Sequence, residues 1–171
     1  MTAFPLIQAL KEGLDGYTAP DGTAVPGALD ELLLEPAGAS RDPAMADAAP
    51  WVKPAVCIGR LPRKESGEAQ VPFVVIQNID GEIGSDGLER VGIVFRCAAY
   101  AQDAAEAVRD LHAIMSAVCR FCAGCSNYAL KDRFLLDTQE GRYFTWTCPD
   151  GQEPPYQEGY IMTRWRFPAG I

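Results

Sequence analysis

A chain of 171 residues with 48% hydrophobic composition is long enough to enclose one core and too apolar to be a disordered segment. Its net charge of −8, with Arg60, Arg63 and Lys64 as the only basic cluster, excludes the electrostatic footprint of a nucleic-acid binder. No run of about 18 apolar residues is present to span a membrane, and no basic-then-apolar leader opens the chain, so synthesis in the cytoplasm with reduced thiols is expected.

Residues 2–14 bring Phe4, Leu6, Ile7, Leu10 and Leu14 to one side at helical spacing, with Lys11 and Glu12 turned away. This predicts a short amphipathic helix that stops near Gly13 and Gly16. From Pro20 to Gln70 the composition changes: Pro20, Pro26, Pro36, Pro43, Pro50, Pro54 and Pro62 fall among Gly, Ala and Asp. Proline removes backbone donors and fixes φ, so an extended loop region without long helices or central strands is expected over 20–70. Two apolar pieces interrupt it, Leu29–Leu34 and Ala55–Leu61; the first reads equally as a helical turn or a strand. A loop this long is usually functional or poorly ordered, and here it is the expected place for contacts with other subunits.

Val71–Ile79 is β-branched and aromatic, Asp80–Gly87 is rich in turn residues, and Glu89–Ala101 alternates. Together they predict an antiparallel hairpin with an eight-residue connection, Val91, Ile93, Phe95 and Cys97 facing one way and Arg90, Val94 and Arg96 the other. Asp103 stands at an N-cap position with Glu106 three residues on, a capping-box pattern. Behind it Val108, Leu111, Met115, Val118 and Cys122 form a stripe, predicting a helix over 104–121 ended by Gly124.

Leu130–Asp137 and Arg142–Cys148 follow as strands around Gly141. After Pro154-Pro155 the chain alternates to its end: Gly159, Ile161, Thr163, Trp165 and Phe167 on one face, Tyr160, Met162, Arg164 and Arg166 on the other. The expected fold class is α+β: an antiparallel or mixed sheet with one long helix packed on it, a short N-terminal helix and a long Pro-rich loop. Residues 1–171 form a single domain without an internal repeat.

Chemistry-bearing patterns are sparse. Cys119, Cys122 and Cys125 form C-x2-C-x2-C, with Cys148 further on, a spacing known from iron–sulfur ligation. Two of these cysteines fall on the last turns of a helix and one in its apolar stripe, where a free Cys is commonly a small buried hydrophobe. His112 is the only histidine and sits beside the buried stripe, a structural position more than a catalytic one. The glycines Gly81, Gly84 and Gly87 join two strands and lead into no helix, so they are turn residues and not a phosphate cradle. Asp132 with Asp137, and Glu153 with Glu158, read as surface acids, and Trp146 and Trp165 as core or interface anchors. No catalytic, cofactor-binding or metal-binding set stands out, and no enzyme activity is expected. A small metal or redox protein built on Cys119, Cys122 and Cys125 is the competing reading from another class, and a generic ligand-binding α+β domain a third.

Three segments carry a family resemblance: Lys53-Pro54-Ala55-Val56-Cys57-Ile58-Gly59-Arg60-Leu61-Pro62; Val71–Ile76 with Asp80-Gly81-Glu82, Val91–Phe95 and Tyr100; and Glu153-Pro154-Pro155-Tyr156-Gln157-Glu158-Gly159-Tyr160-Ile161-Met162-Thr163-Arg164-Trp165. In this order, over residues 50–168, the chain resembles the tail terminator proteins (also called tail completion or tail-to-head joining proteins) of long-tailed bacteriophages. It departs from them at Gln157, where an aromatic residue is usual. The resemblance implies a structural virion protein, assembled in the host cytoplasm and located in the tail at the neck. Its partners would be other copies in a hexameric ring, the tail tube protein below, and the head–tail connector or neck protein above. Another connector or neck protein is the nearest alternative. Closed rings need two different complementary faces on each subunit. The interface residues expected from loop position are Arg60, Arg63, Asp80, Glu82, Ser85 and Asp86, with Tyr156, Arg164 and Arg166 on the last strand.

Overall fold

The computed structural model describes residues 3–34, 51–61, 71–101, 103–125, 128–152 and 155–169. Arg63, Glu153 and residues 35–50 of the Pro-rich region lie outside them. Among the described residues the architecture is α+β, a seven-stranded mixed sheet with two helices packed through one shared core.

Helix α1 (Ala3–Asp15) buries Leu6, Ile7, Ala9, Leu10 and Leu14, while Phe4 points to solvent. It ends at Gly16, whose φ of +80° is open to glycine at little steric cost and whose N–H donates to the Glu12 carbonyl at 2.9 Å. Gly13 is not a stop signal. It lies inside the helix because the Phe121 ring occupies the space a side chain would need.

The first part of the Pro-rich region is more ordered than its composition predicts. Strands β1 (Tyr17–Thr18) and β2 (Ala24–Val25) pair as a small hairpin. Leu29 and Leu34 are buried, and Leu34 and Val52 exchange two backbone hydrogen bonds of 2.9 Å. Lys53 Nζ then clamps the segment by donating to the Asp15 carbonyl at 2.9 Å and to Asp30 Oδ1 at 2.8 Å. Proline excludes ladder donors, yet it leaves apolar side chains free to be buried, and that second effect wins here. Strand β3 (Ala55–Ile58) follows Pro54 and forms one edge of the large sheet, an edge being where flanking proline is tolerated.

Strand β4 (Phe73–Ile83) runs parallel to β3 and antiparallel to β5 (Leu88–Tyr100). The hairpin therefore has a connection of residues 84–87, not the eight-residue loop expected over 80–87. Pairing resumes after a register shift between Asn78 and Asp80, so Asp80, Gly81 and Glu82 are strand residues. The bulge rescues a stretch whose Asp and Gly content reads as turn.

Helix α2 (Ala104–Gly124) starts at Asp103, whose side chain accepts from the N–H groups of Ala105 and Glu106. Its buried stripe is Ala107, Leu111, Ile114, Met115, Val118 and Cys122; Val108 belongs to the exposed side. The helix runs three residues past the expected end at 121. The helix lies over β5 and β9 (Tyr156–Pro168), while α1 covers β3 and β4.

The expected strand 130–137 is two pieces, β6 (Ala129–Leu130) and β7 (Phe134–Asp137), because Lys131 and Asp132 both take φ of 53°. The expected strand 142–148 shortens to β8 (Thr145–Thr147). β9 begins at Tyr156, and it is the centre of the sheet: β5 lies along one side, with β7 and then β8 along the other. The strand order is β3-β4-β5-β9-β7-β6, with β8 off this path.

Candidate interaction surface

The helix-bearing face of the sheet is filled by Val74, Ile76, Val91, Ile93, Phe95, Cys97, Ile161, Trp165 and Phe167. The alternation of β5 and β9 therefore turns Arg90, Val94, Arg96, Glu158, Tyr160, Met162, Arg164 and Arg166 to the opposite face, each half-buried. This outer face combines ordered charges with a smaller apolar cluster of Phe73, Val75 and Ala98. Arg96 makes a two-pronged pair with Glu158 at 3.1 and 2.6 Å, and its guanidinium sits 5.5 Å from the Phe73 ring centroid.

Three of the residues expected at an interface meet there. Arg164 on β9 faces Gly92 on β5, which in turn faces Asp80 on β4. Because Gly92 has no side chain, the Arg164 guanidinium reaches across β5 to bond Glu82 at 2.8 Å and approach Asp80 at 3.7 Å. Asp86 forms a separate pair with Arg90 at 2.6 Å, and that hydrogen bond pulls its carboxyl from 3.8 to about 2. Arg166 faces Arg90 across the ladder, and its Nε is buried with no hydrogen-bond partner among the described residues. Ser85 is exposed in the hairpin turn. Arg60 is exposed just after β3, and Tyr156 stands at the start of β9, edge-on to Tyr100 at 5.3 Å. Those three are not brought together with the charge array.

Two features hold residues singled out in the sequence, Asp80 and Glu82 in the first and His112, Cys119 and Trp146 in the second, in a setting that sequence does not show. The first is the far half of β4. Residues 78–83 are exposed throughout, with Ile79 at 55% and Ile83 at 68%. β3 pairs only with Phe73–Ile76, so among the described residues the outer edge of β4 beyond Ile76 has no strand beside it. Unpaired edges with apolar side chains are templates for strand addition. Alternation could not reveal this, since it shows neither which edge is paired nor how far.

The second is a shallow cavity of about 320 Å³ on the helix-bearing face, lined by His112, Met115, Ser116, Cys119, Trp146 and Ile161. Trp146 faces Ile161 from β8 and remains 63% exposed, whereas Trp165 is completely buried. Burial pushes the Cys119 thiol up, away from the thiolate that nucleophilic chemistry or metal ligation requires. Desolvation also raises the thiols of Cys57, Cys97, Cys122 and Cys125. Among the described residues no group of three or more His, Cys, Asp or Glu side chains is arranged to hold a metal ion. Of the candidate acid pairs, Glu158 is occupied by Arg96, Asp132 sits in the turn between β6 and β7, and Asp137 accepts from the Thr138 N–H. None of them lines the cavity.

Among the described residues no helix is long and apolar enough to cross a membrane. No protein-family model matches this chain, and no curated protein shows significant sequence similarity to it.

Proposed function

We propose that this chain is a structural subunit of a long-tailed bacteriophage or prophage particle, a tail terminator. In that role it closes the end of the tail tube, stops tube growth and forms the joint to the head connector, with no catalytic step. The observation that carries the reading is the far half of β4, residues 78–83, which is exposed, carries Ile79 and Ile83, and among the described residues has no strand along its outer edge. A monomeric domain gains nothing from such an edge and is exposed to aggregation by it, whereas an assembly subunit covers it. The resemblance over residues 50–168 supplies the particular assembly.

The outer face supports the same reading. Arg96 with Glu158, Arg164 with Glu82 and Arg90 with Asp86 are paired, so these charges are held in defined positions that suit a complementary surface with little further ordering. Asp80, Glu82, Arg164 and Arg166 on that face, with Asp86 and Ser85 at the hairpin tip, are the proposed contacts to the neighbouring tube or connector. The test is electron microscopy of particles assembled without this gene product. Over-long tails, or tails unjoined to heads, are expected. Tails of normal length stably attached to heads would overturn the proposal.

A further inference from the structure

We infer that copies of this chain join head to tail: the half of β4 that has no strand beside it among the described residues docks, on one copy, beside β8 and α2 of the next, with Ile83 entering the cavity under Trp146. The inference rests on the ring reading above and assigns its two complementary faces.

The geometry has four parts. Across the sheet the order is β4, β5, β9, β8, so the free stretch of β4 and the outer edge of β8 lie on opposite sides. Contact between two different patches is heterologous and propagates around a ring, as a closed assembly requires. Each of the three pairings in that order is antiparallel, so β4 and β8 run in opposite directions. A neighbour rotated about an axis inclined to the strands keeps their direction broadly, so its β4 meets β8 antiparallel, the arrangement of an ordinary ladder.

Side-chain direction agrees. Ile83 pairs with Glu89, two residues from the core residue Val91, so Ile83 projects on the helix-bearing face. Trp146 pairs with core residue Ile161 and projects on that same face. A sheet continued from one copy to the next brings the exposed isoleucine to the side where the cavity opens. The free stretch begins level with Thr145, through Gln77, Val94 and Met162, and extends away from it. Successive copies are therefore offset along the strands, as in any closed sheet whose strands tilt to the axis.

Charge does not oppose the contact. Of the acids in residues 77–87, Asp80 and Glu82 are met by Arg164 on the outer face and Asp86 by Arg90, so no unanswered run of acid is carried to the neighbour. Beside the cavity, Arg120 on α2 and Arg142 before β8 are exposed, with Glu140 and Asp150 nearby.

Two exposed-site variants test this, Ile83→Asp and Trp146→Asp, with folding checked by circular dichroism and mass measured by light scattering on the full chain. The wild type is expected to form a ring or a concentration-dependent oligomer, and each variant alone a folded monomer. Mixed together, the variants retain one intact edge and one intact cavity, so a dimer of twice the 18.5 kDa chain mass should appear. Variants that assemble like the wild type, a mixture that stays monomeric, or a wild type that never oligomerises would each overturn the contact. None of these results depends on tail length, so the microscopy above judges the tail reading separately.

Discussion

Gly92 lies against Asp80: its N–H donates to Asp80 Oδ1 at 2.9 Å, and a Cβ built on Gly92 would stand 2.5 Å from that oxygen. One contact thus holds the bulge, keeps the far half of β4 in register and leaves the gap through which Arg164 reaches Glu82. Gly92→Ala should cost about 1–3 kcal/mol by forcing Asp80 aside. Urea unfolding of Gly92→Ala in the wild-type and Asp80→Ala backgrounds measures the coupling. Equal costs in both would show that the two residues do not communicate.

Trp165 is fully buried, and its Nε1 donates at 2.9 Å to Thr163 Oγ1, which itself donates to the Ile93 carbonyl at 3.3 Å. Trp165→Ala removes the largest core side chain and should destabilise by about 3–5 kcal/mol. Trp146→Ala, on the next strand over, should change monomer stability by no more than about 0.5 kcal/mol. Similar losses from both would contradict the assignment of one to the core and the other to the surface.

The hairpin tip has a defined acid response. The hydrogen bond from Arg90, and then the Leu88 N–H, hold the Asp86 carboxyl near 2, below its ordinary 3.8. A folded-state value below the unfolded one stabilises the tip above the ordinary carboxylate range, and the effect is lost as pH falls through about 2. Carboxyl NMR titration should place the Asp86 midpoint there, and Arg90→Gln should move it up toward 3.8. An unchanged midpoint in the variant would remove Arg90 as the cause.

The cysteines should differ in reactivity. Cys97 and Cys122 are fully buried and burial pushes their thiols up, while Cys57, Cys119, Cys125 and Cys148 are partly exposed. Iodoacetamide at pH 8 should modify the second group first, with mass spectrometry locating the labels. Purified protein should also carry no stoichiometric iron or zinc. Early labelling of Cys122, or one metal per chain, would revive the C-x2-C-x2-C motif as a functional site.

What the sequence determined by itself is whatever short windows encode. The stripe of α1, the Asp103 cap with the helix behind it, and the alternation of Ile161, Thr163, Trp165 and Phe167 are local patterns, and each element appears, with Phe4 and Val108 turned to solvent and α2 three residues longer than its pattern. Other features depend on partners distant in the chain. Gly92 and Asp80 convert an apparent turn into paired strand, and Arg164 finds Glu82 from 82 positions away. Lys131 and Asp132 turn the chain back with left-handed backbone, which Asp visits more readily than Lys and which an apolar run on either side masks. Alternation separated Trp146 from its neighbours without revealing that it stays open to solvent, while Trp165 lies fully buried within the core. Periodicity states that an element has two faces; only packing decides which of them is covered, because burial belongs to the neighbour as much as to the residue.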